Sequence, residues 1–205
     1  MLETAAAFHA RALATTGPDR RLPVNVDEMP GWDIFPFEPD GLTYKPLDHL
    51  APEPQRRGED PATCWCAGDL PSPETVVWSD DDWTLRYDAA AQLPCLLVLQ
   101  PRAHHDLATL TAALAARMGV LEVAVAAGVE ELPSVGRVHL AKWGDGGAHL
   151  HLVFLGRPAQ MLQLRGSCLL DWAESMPVVP ADVLRANAEH VARVVRERAG
   201  GRLGA

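Results

Sequence analysis

Two histidines two residues apart, His149 and His151, stand in the stretch 137–158, which reads as two strands joined by a glycine-rich turn, Gly144-Asp145-Gly146-Gly147. Residues two apart on a strand project to the same side. The two imidazoles therefore share one face, and Leu150 and Leu152 share the other. Imidazole binds metals and serves as nucleophile or base near neutral pH; a hydrogen-bonded pair of core histidines is the plainer reading of the same pattern. Upstream, Cys64-Trp65-Cys66 places two thiols on one side of an extended segment. Such a pair can chelate a metal, although C-x-C is a weaker zinc signal than C-x-x-C. Arg56 and Arg57 lie just before the cysteines, either as a solvated turn or as a phosphate contact.

The elements that must position these groups follow from periodicity and punctuation. Residues 2–15 read as a short helix stopped by Gly17-Pro18, with Leu2, Ala6, Phe8 and Leu13 on one side. More than half of the 17 prolines then fall before residue 62, in an acidic stretch that also carries Trp32, Ile34, Phe35, Phe37, Tyr44 and Leu47. So many large apolar groups predict an ordered arm rather than a disordered tail. Residues 74–78 and 83–87 read as a hairpin around an acidic turn, and residues 93–100 as a strand buried on both faces, with Cys95 as a small core residue. A helix is expected from Leu107 to about Ala127, with Asp106 as its N-cap and Gly119 as a break. After the 137–158 hairpin, residues 162–172 turn into a helix. Residues 182–198 form an amphipathic helix with Val183, Leu184, Ala188, Val191 and Val195 on its apolar side. The tail from Gly200 is expected to fray. Arm, hairpin, buried strand, helix, hairpin and helices in that order describe an α+β domain: an antiparallel sheet with helices packed mainly on one face.

The chain has 205 residues and a net charge of −9. That charge argues against general nucleic-acid binding by phosphate neutralisation, but leaves room for one nucleotide in a local pocket. No membrane partner is expected, because no apolar run approaches the length of a span. The first residues show no basic start followed by an apolar run, so a cytoplasmic protein with free thiols is expected.

A strand ending in Pro101-Arg-Ala-His104, a helix, and a hairpin returning with His149-Leu-His151-Leu and Leu155-Gly-Arg157 together resemble the histidine triad (HIT) superfamily, whose fold the galactose-1-phosphate uridylyltransferases share. The resemblance covers residues 62–160 as a HIT-like core. It leaves residues 1–61 as an N-terminal helix and Pro-rich arm, and 161–205 as a C-terminal helical extension.

The resemblance implies that His151 is the nucleophile, attacking the α-phosphorus of a nucleotide or nucleotide sugar to form a nucleotidyl-histidine. The protein would then be a nucleotide hydrolase or nucleotidyltransferase. It also implies a structural zinc held by Cys64, Cys66, His104 and His149, and a homodimer that the arm and C-terminal helix could block. Departures are plain. Val153 occupies the third triad position, where the family has histidine or glutamine; the Gly-Gln-Ser element is absent; and the cysteines are spaced C-x-C. An inactive HIT-like zinc protein that binds a nucleotide or a protein partner is therefore the alternative. If His151 reacts, donors for the phosphate are expected among the backbone N–H groups of Gly146 and Gly147, the guanidiniums of Arg157 and Arg165, and Ser167. His105, His139 or an arm side chain would stand in for the missing triad side chain.

Overall fold

The computed structural model describes residues 2–16, 18, 37–38, 41–44, 53–68, 72–166 and 168–204. Ser167 and most of the expected arm, including Trp32, Ile34, Phe35 and Leu47, lie outside the described residues. Helix α1 is Ala5–Leu13, capped by Thr4 Oγ1, which accepts from the Ala7 amide at 3.2 Å. Its buried residues are Phe8 and Ala12. Strands β1, Phe37–Glu38, and β2, Gly41–Tyr44, form a small antiparallel ladder.

The main sheet has six strands, all antiparallel: β3 is Val76–Ser79, β4 Trp83–Tyr87, β5 Cys95–Pro101, β6 Val135–Ala141, β7 Leu152–Pro158 and β8 Arg202–Leu203. Their order is β6-β7-β5-β4-β3-β8. The expected α+β architecture is the one observed. Period-two alternation divides the two faces of the sheet. Leu85, Leu97, Leu99 and Phe154 are fully buried and belong to one core with α2, Ala112–Glu130, the short α3, Leu169–Glu174, and α4, Ala181–Ala199. α2 contacts β6 and β7, α4 contacts β3, β4 and β5, and the two helices pack side by side. On the opposite face Arg86, Val98 and Val153 form a row across β4, β5 and β7, because Arg86 is paired with Val98 and Val98 with Val153.

Several expectations need correction. His149 and His151 precede β7 rather than standing in it. Asp106 caps only the short 3₁₀ turn Leu107–Thr109; Thr111 caps α2, which continues through Gly119. The cysteines do not share an extended segment: Cys64 joins two short 3₁₀ turns, Pro61–Thr63 and Trp65–Ala67, and Cys66 lies within the second. The tail does not fray: β8 pairs with β3, and the Trp78 indole donates to the Gly200 carbonyl at 2.8 Å. Among the described residues one helix, α2, is long and apolar enough to cross a membrane, where the sequence reading expects none. It carries Arg117 and Glu122, and buries Leu121, Ala124, Val125, Gly128 and Val129.

Candidate functional site

The site is built where the cysteine turns meet the loop between β6 and β7. Backbone bonds join them: the Arg57 amide donates to the Gly146 carbonyl at 3.1 Å, and the Ala148 amide to the Arg57 carbonyl at 3.0 Å. Asp106 adds a second tie, accepting from Arg56 Nη1 at 2.9 Å and pairing with Lys142 Nζ at 3.2 Å. Burial alone would raise the Asp106 carboxyl. Hydrogen bonds from Arg56, the Leu107 amide and Lys142 outweigh it and hold the group below its usual range. Gly58 is needed for the turn into the cysteines. Its φ is +73°, and a Cβ there would sit 3.2 Å from both Cβ and Sγ of Cys64. The Leu150 amide donates to the His105 carbonyl at 2.7 Å, which fixes the segment between the two histidines.

Cys64, Cys66, His104 and His149 converge, their ligand atoms all within 4.8 Å of one another. Cys64 Sγ lies 3.5 Å from His149 Nδ1, and Cys66 Sγ lies 3.6 Å from His104 Nδ1. Tetrahedral zinc with its usual bond lengths separates sulfur and nitrogen ligands by about 3.6 Å. The tautomer also fits. His149 Nε2 is 2.9 Å from the Pro101 carbonyl, which can only accept, so Nε2 carries the proton and Nδ1 presents its lone pair to the sulfurs. Burial is the main force lowering the His149 pKa, and His104, His151 and His105 add repulsion; the bond to Pro101 acts against them. Burial, then the neighbouring Cys64, pushes the Cys66 thiol up to about 11. A divalent cation reverses that preference by favouring thiolate. The donor set is consistent with zinc. Trp65, between the two cysteines, packs on the His149 ring with centroids 4.5 Å apart.

His151 lies beside this cluster. Its Nδ1 is 2.9 Å from the His149 carbonyl, so Nδ1 donates and Nε2 keeps its lone pair. The two rings line one cavity of about 320 Å³ with Arg57, Gly58, Cys64, Trp65, Arg86 and Gly147. Among the described residues two guanidiniums and no carboxylate line it. The sequence reading named Arg57 only as an arm contact and missed Arg86. The alternation Trp-Thr-Leu-Arg-Tyr held the signal, because it sets Arg86 on the face opposite Leu85 and Tyr87. Arg86 Nε is buried and has no hydrogen-bond partner among the described residues. Burial lowers its pKa, partly offset by Asp88.

The other expected donors divide. Gly147 lines the His151 cavity, whereas the carbonyl of exposed Gly146 serves the bridge to Arg57. Arg157 and Arg165 are not brought to His151. They line a second cleft with Arg137, Val138, His139 and Gly166, because Arg157 sits at the far end of β7. That is six residues from His151, roughly 20 Å along an extended chain. His139 goes with them and does not replace the missing triad side chain. His105 contributes its carbonyl to the site. Buried Cys95, its thiol pushed up to about 12, is an inert core residue.

No family model matches the chain, and no curated protein matches it significantly. Solved structures do. A HIT-like protein from Bartonella henselae, described as involved in cell-cycle regulation, is 14% identical with a TM-score of 0.49, covering 69% of this chain and 99% of its own. A histidine triad protein from Marinobacter aquaeolei is 17% identical with a TM-score of 0.46, covering 60% and 90%. A zinc-bound histidine triad family protein from Mycobacterium smegmatis is 20% identical with a TM-score of 0.42, covering 62% and 91%. The likeness to histidine triad proteins is one of fold. These three structures align over nine-tenths or more of their own length and cover 60–69% of this chain.

Proposed function

We propose that this chain is a zinc-containing HIT-type protein in which His151 attacks the α-phosphorus of a nucleotide or nucleotide sugar. The observation that carries the reading is the orientation of His151: Nδ1 is held by the His149 carbonyl, Nε2 makes no bond among the described residues, and the ring lines a cavity with Arg57 and Arg86. In the proposed step the Nε2–P bond forms as the bond from phosphorus to the leaving-group oxygen breaks, and the leaving group takes a proton from solvent. Water or an acceptor hydroxyl then attacks phosphorus and gives its proton to solvent, and the N–P bond breaks to return neutral His151. Arg57 and Arg86 neutralise the phosphoryl oxygens through charge-assisted bonds, which are stronger in a partly buried site than in water. Cys64, Cys66, His104 and His149 would hold the zinc. A closed set of four protein ligands supplies structure rather than an activated water, fixing His149 and, through its carbonyl, the His151 ring.

Val153 favours a second reading, nucleotide binding without turnover. It stands in the same cross-strand row as Arg86 and offers the leaving group no proton or hydrogen bond. In the first reading Arg86, whose Nε has no partner among the described residues, takes over the phosphate contact that the third triad side chain would make. Incubation with nucleoside diphosphates, triphosphates, dinucleotides and nucleotide sugars tests the choice by intact-mass spectrometry. The first reading expects a nucleotidyl adduct on the wild type and none on His151→Ala. Saturable nucleotide binding with neither adduct nor product supports the second. Absence of both binding and adduct overturns the two together.

A further inference from the structure

The second cleft, of about 520 Å³, is lined by Arg137, Val138, His139, Arg157, Arg165 and Gly166. Among the described residues no carboxylate lines it, and none of its three arginines makes an ion pair. Arg137 and Arg157 are directly paired across β6 and β7. Like charges in that relation destabilise a sheet. Arg157 is also only 7% exposed, and a buried cation without a counter-charge is unfavourable. Glu130, the acidic group that reaches β6, accepts from the Val138 amide at 3.5 Å rather than from a guanidinium.

The three side chains are nevertheless held in place. Arg137 Nη1 donates to the Gly136 carbonyl at 2.6 Å, Arg157 Nη1 to the Pro158 carbonyl at 2.9 Å, and Arg165 Nε to the Leu162 carbonyl at 2.7 Å. Arg157 crosses directly over Gly136, where a Cβ would lie 2.6 Å from its Nη2. Each guanidinium thus gives a donor to neutral backbone and keeps others. A guanidinium has five N–H donors. Three anchored forks around one concavity match an anion with several oxygens on one centre, because each fork can bond two of them side by side.

We propose that this cleft is a binding site for the phosphate group of a small molecule, separate from the His151 cavity. It requires neither nucleotide chemistry nor metal at the first site. The test is a titration of the full chain with inorganic pyrophosphate, read on backbone amides by NMR at constant ionic strength. Saturable shifts are expected at Arg137, Val138, His139 and Gly166, unchanged in His151→Ala. Arg137→Gln and Arg165→Gln replace exposed side chains and keep the fold. Each is expected to weaken binding at these amides roughly tenfold, as loss of one charge-assisted bond implies, and the double variant to abolish it. The proposal is overturned if the shifts are confined to amides around Gly147, if sodium chloride at equal ionic strength reproduces them, or if citrate saturates the cleft while pyrophosphate does not. Wild-type affinity in the double variant overturns it as well.

Discussion

Replacing Arg86 with methionine should separate binding from stability. Met keeps much of the aliphatic stem and removes the guanidinium. A buried donor without a partner costs about 1–3 kcal/mol, and Arg86 Nε is such a donor. Arg86→Met is therefore expected to fold as well as wild type or to gain about 1 kcal/mol. For a chain of this size that is about 2–4 °C in Tm. Reaction at His151 moves the other way. A charge-assisted bond contributes about 1.5–3 kcal/mol, and each 1.4 kcal/mol is a factor of ten, so adduct formation should slow by roughly 10- to 150-fold. The assay pairs single-turnover labelling, followed by mass spectrometry, with calorimetric melting of the same preparations. Where no adduct forms, nucleotide Kd takes the place of the rate. Arg86→Lys keeps the charge but not the fork, and should fall between. Labelling at the wild-type rate would refute the phosphate contact. A large fall in Tm would show instead that Arg86 supports the fold.

Three further outcomes are expected. Elemental analysis should find about one zinc per chain, and Cys66→Ser or a strong chelator should lower Tm markedly, because the binding energy of a structural zinc is folding energy; identical melting with and without chelator would exclude a structural metal. Gly58→Ala should destabilise by about 1–2 kcal/mol from its left-handed backbone alone, and should weaken zinc retention further through contact with Cys64. The measurement is competition with a metal indicator. The Asp106 pKa is lowered, so its ties to Arg56 and Lys142 add stability that is complete above the ordinary carboxylate range and is lost as pH falls through the depressed value. Asp106→Asn should remove that part of the acid limb of the stability curve while leaving the neutral limb flat; an unchanged acid limb would count against the ties.

The cysteine and histidine set was legible because metal ligation restricts residue type more than it restricts backbone. Cys64, at the junction of two 3₁₀ turns, and Cys66, within the second, converge just as they would from one strand. The sheet and helices were legible from alternation and from apolar runs such as 93–100. Arg157 and Arg165 were misplaced because closeness in sequence to His151 says nothing about which end of β7 a side chain serves. Arg86 was missed because a lone arginine in a strand is ordinary until register sets it beside Val98 and Val153. The glycines near the C-terminus suggested loose chain, and the pairing of Arg202 and Leu203 with β3 depends on Trp78 and Ser79, more than a hundred residues away.

That last pairing bears on how the protein is handled. Ser79 Oγ donates to the Gly204 carbonyl, and the Gly204 amide to the Val77 carbonyl. Trimming the chain after residue 199 would strip these partners from β3 and lay bare a row of unpaired amides beside an uncovered indole. An edge of that kind recruits other chains. Shortened versions made to aid crystallisation should precipitate sooner than the full chain, and affinity handles belong at the other terminus.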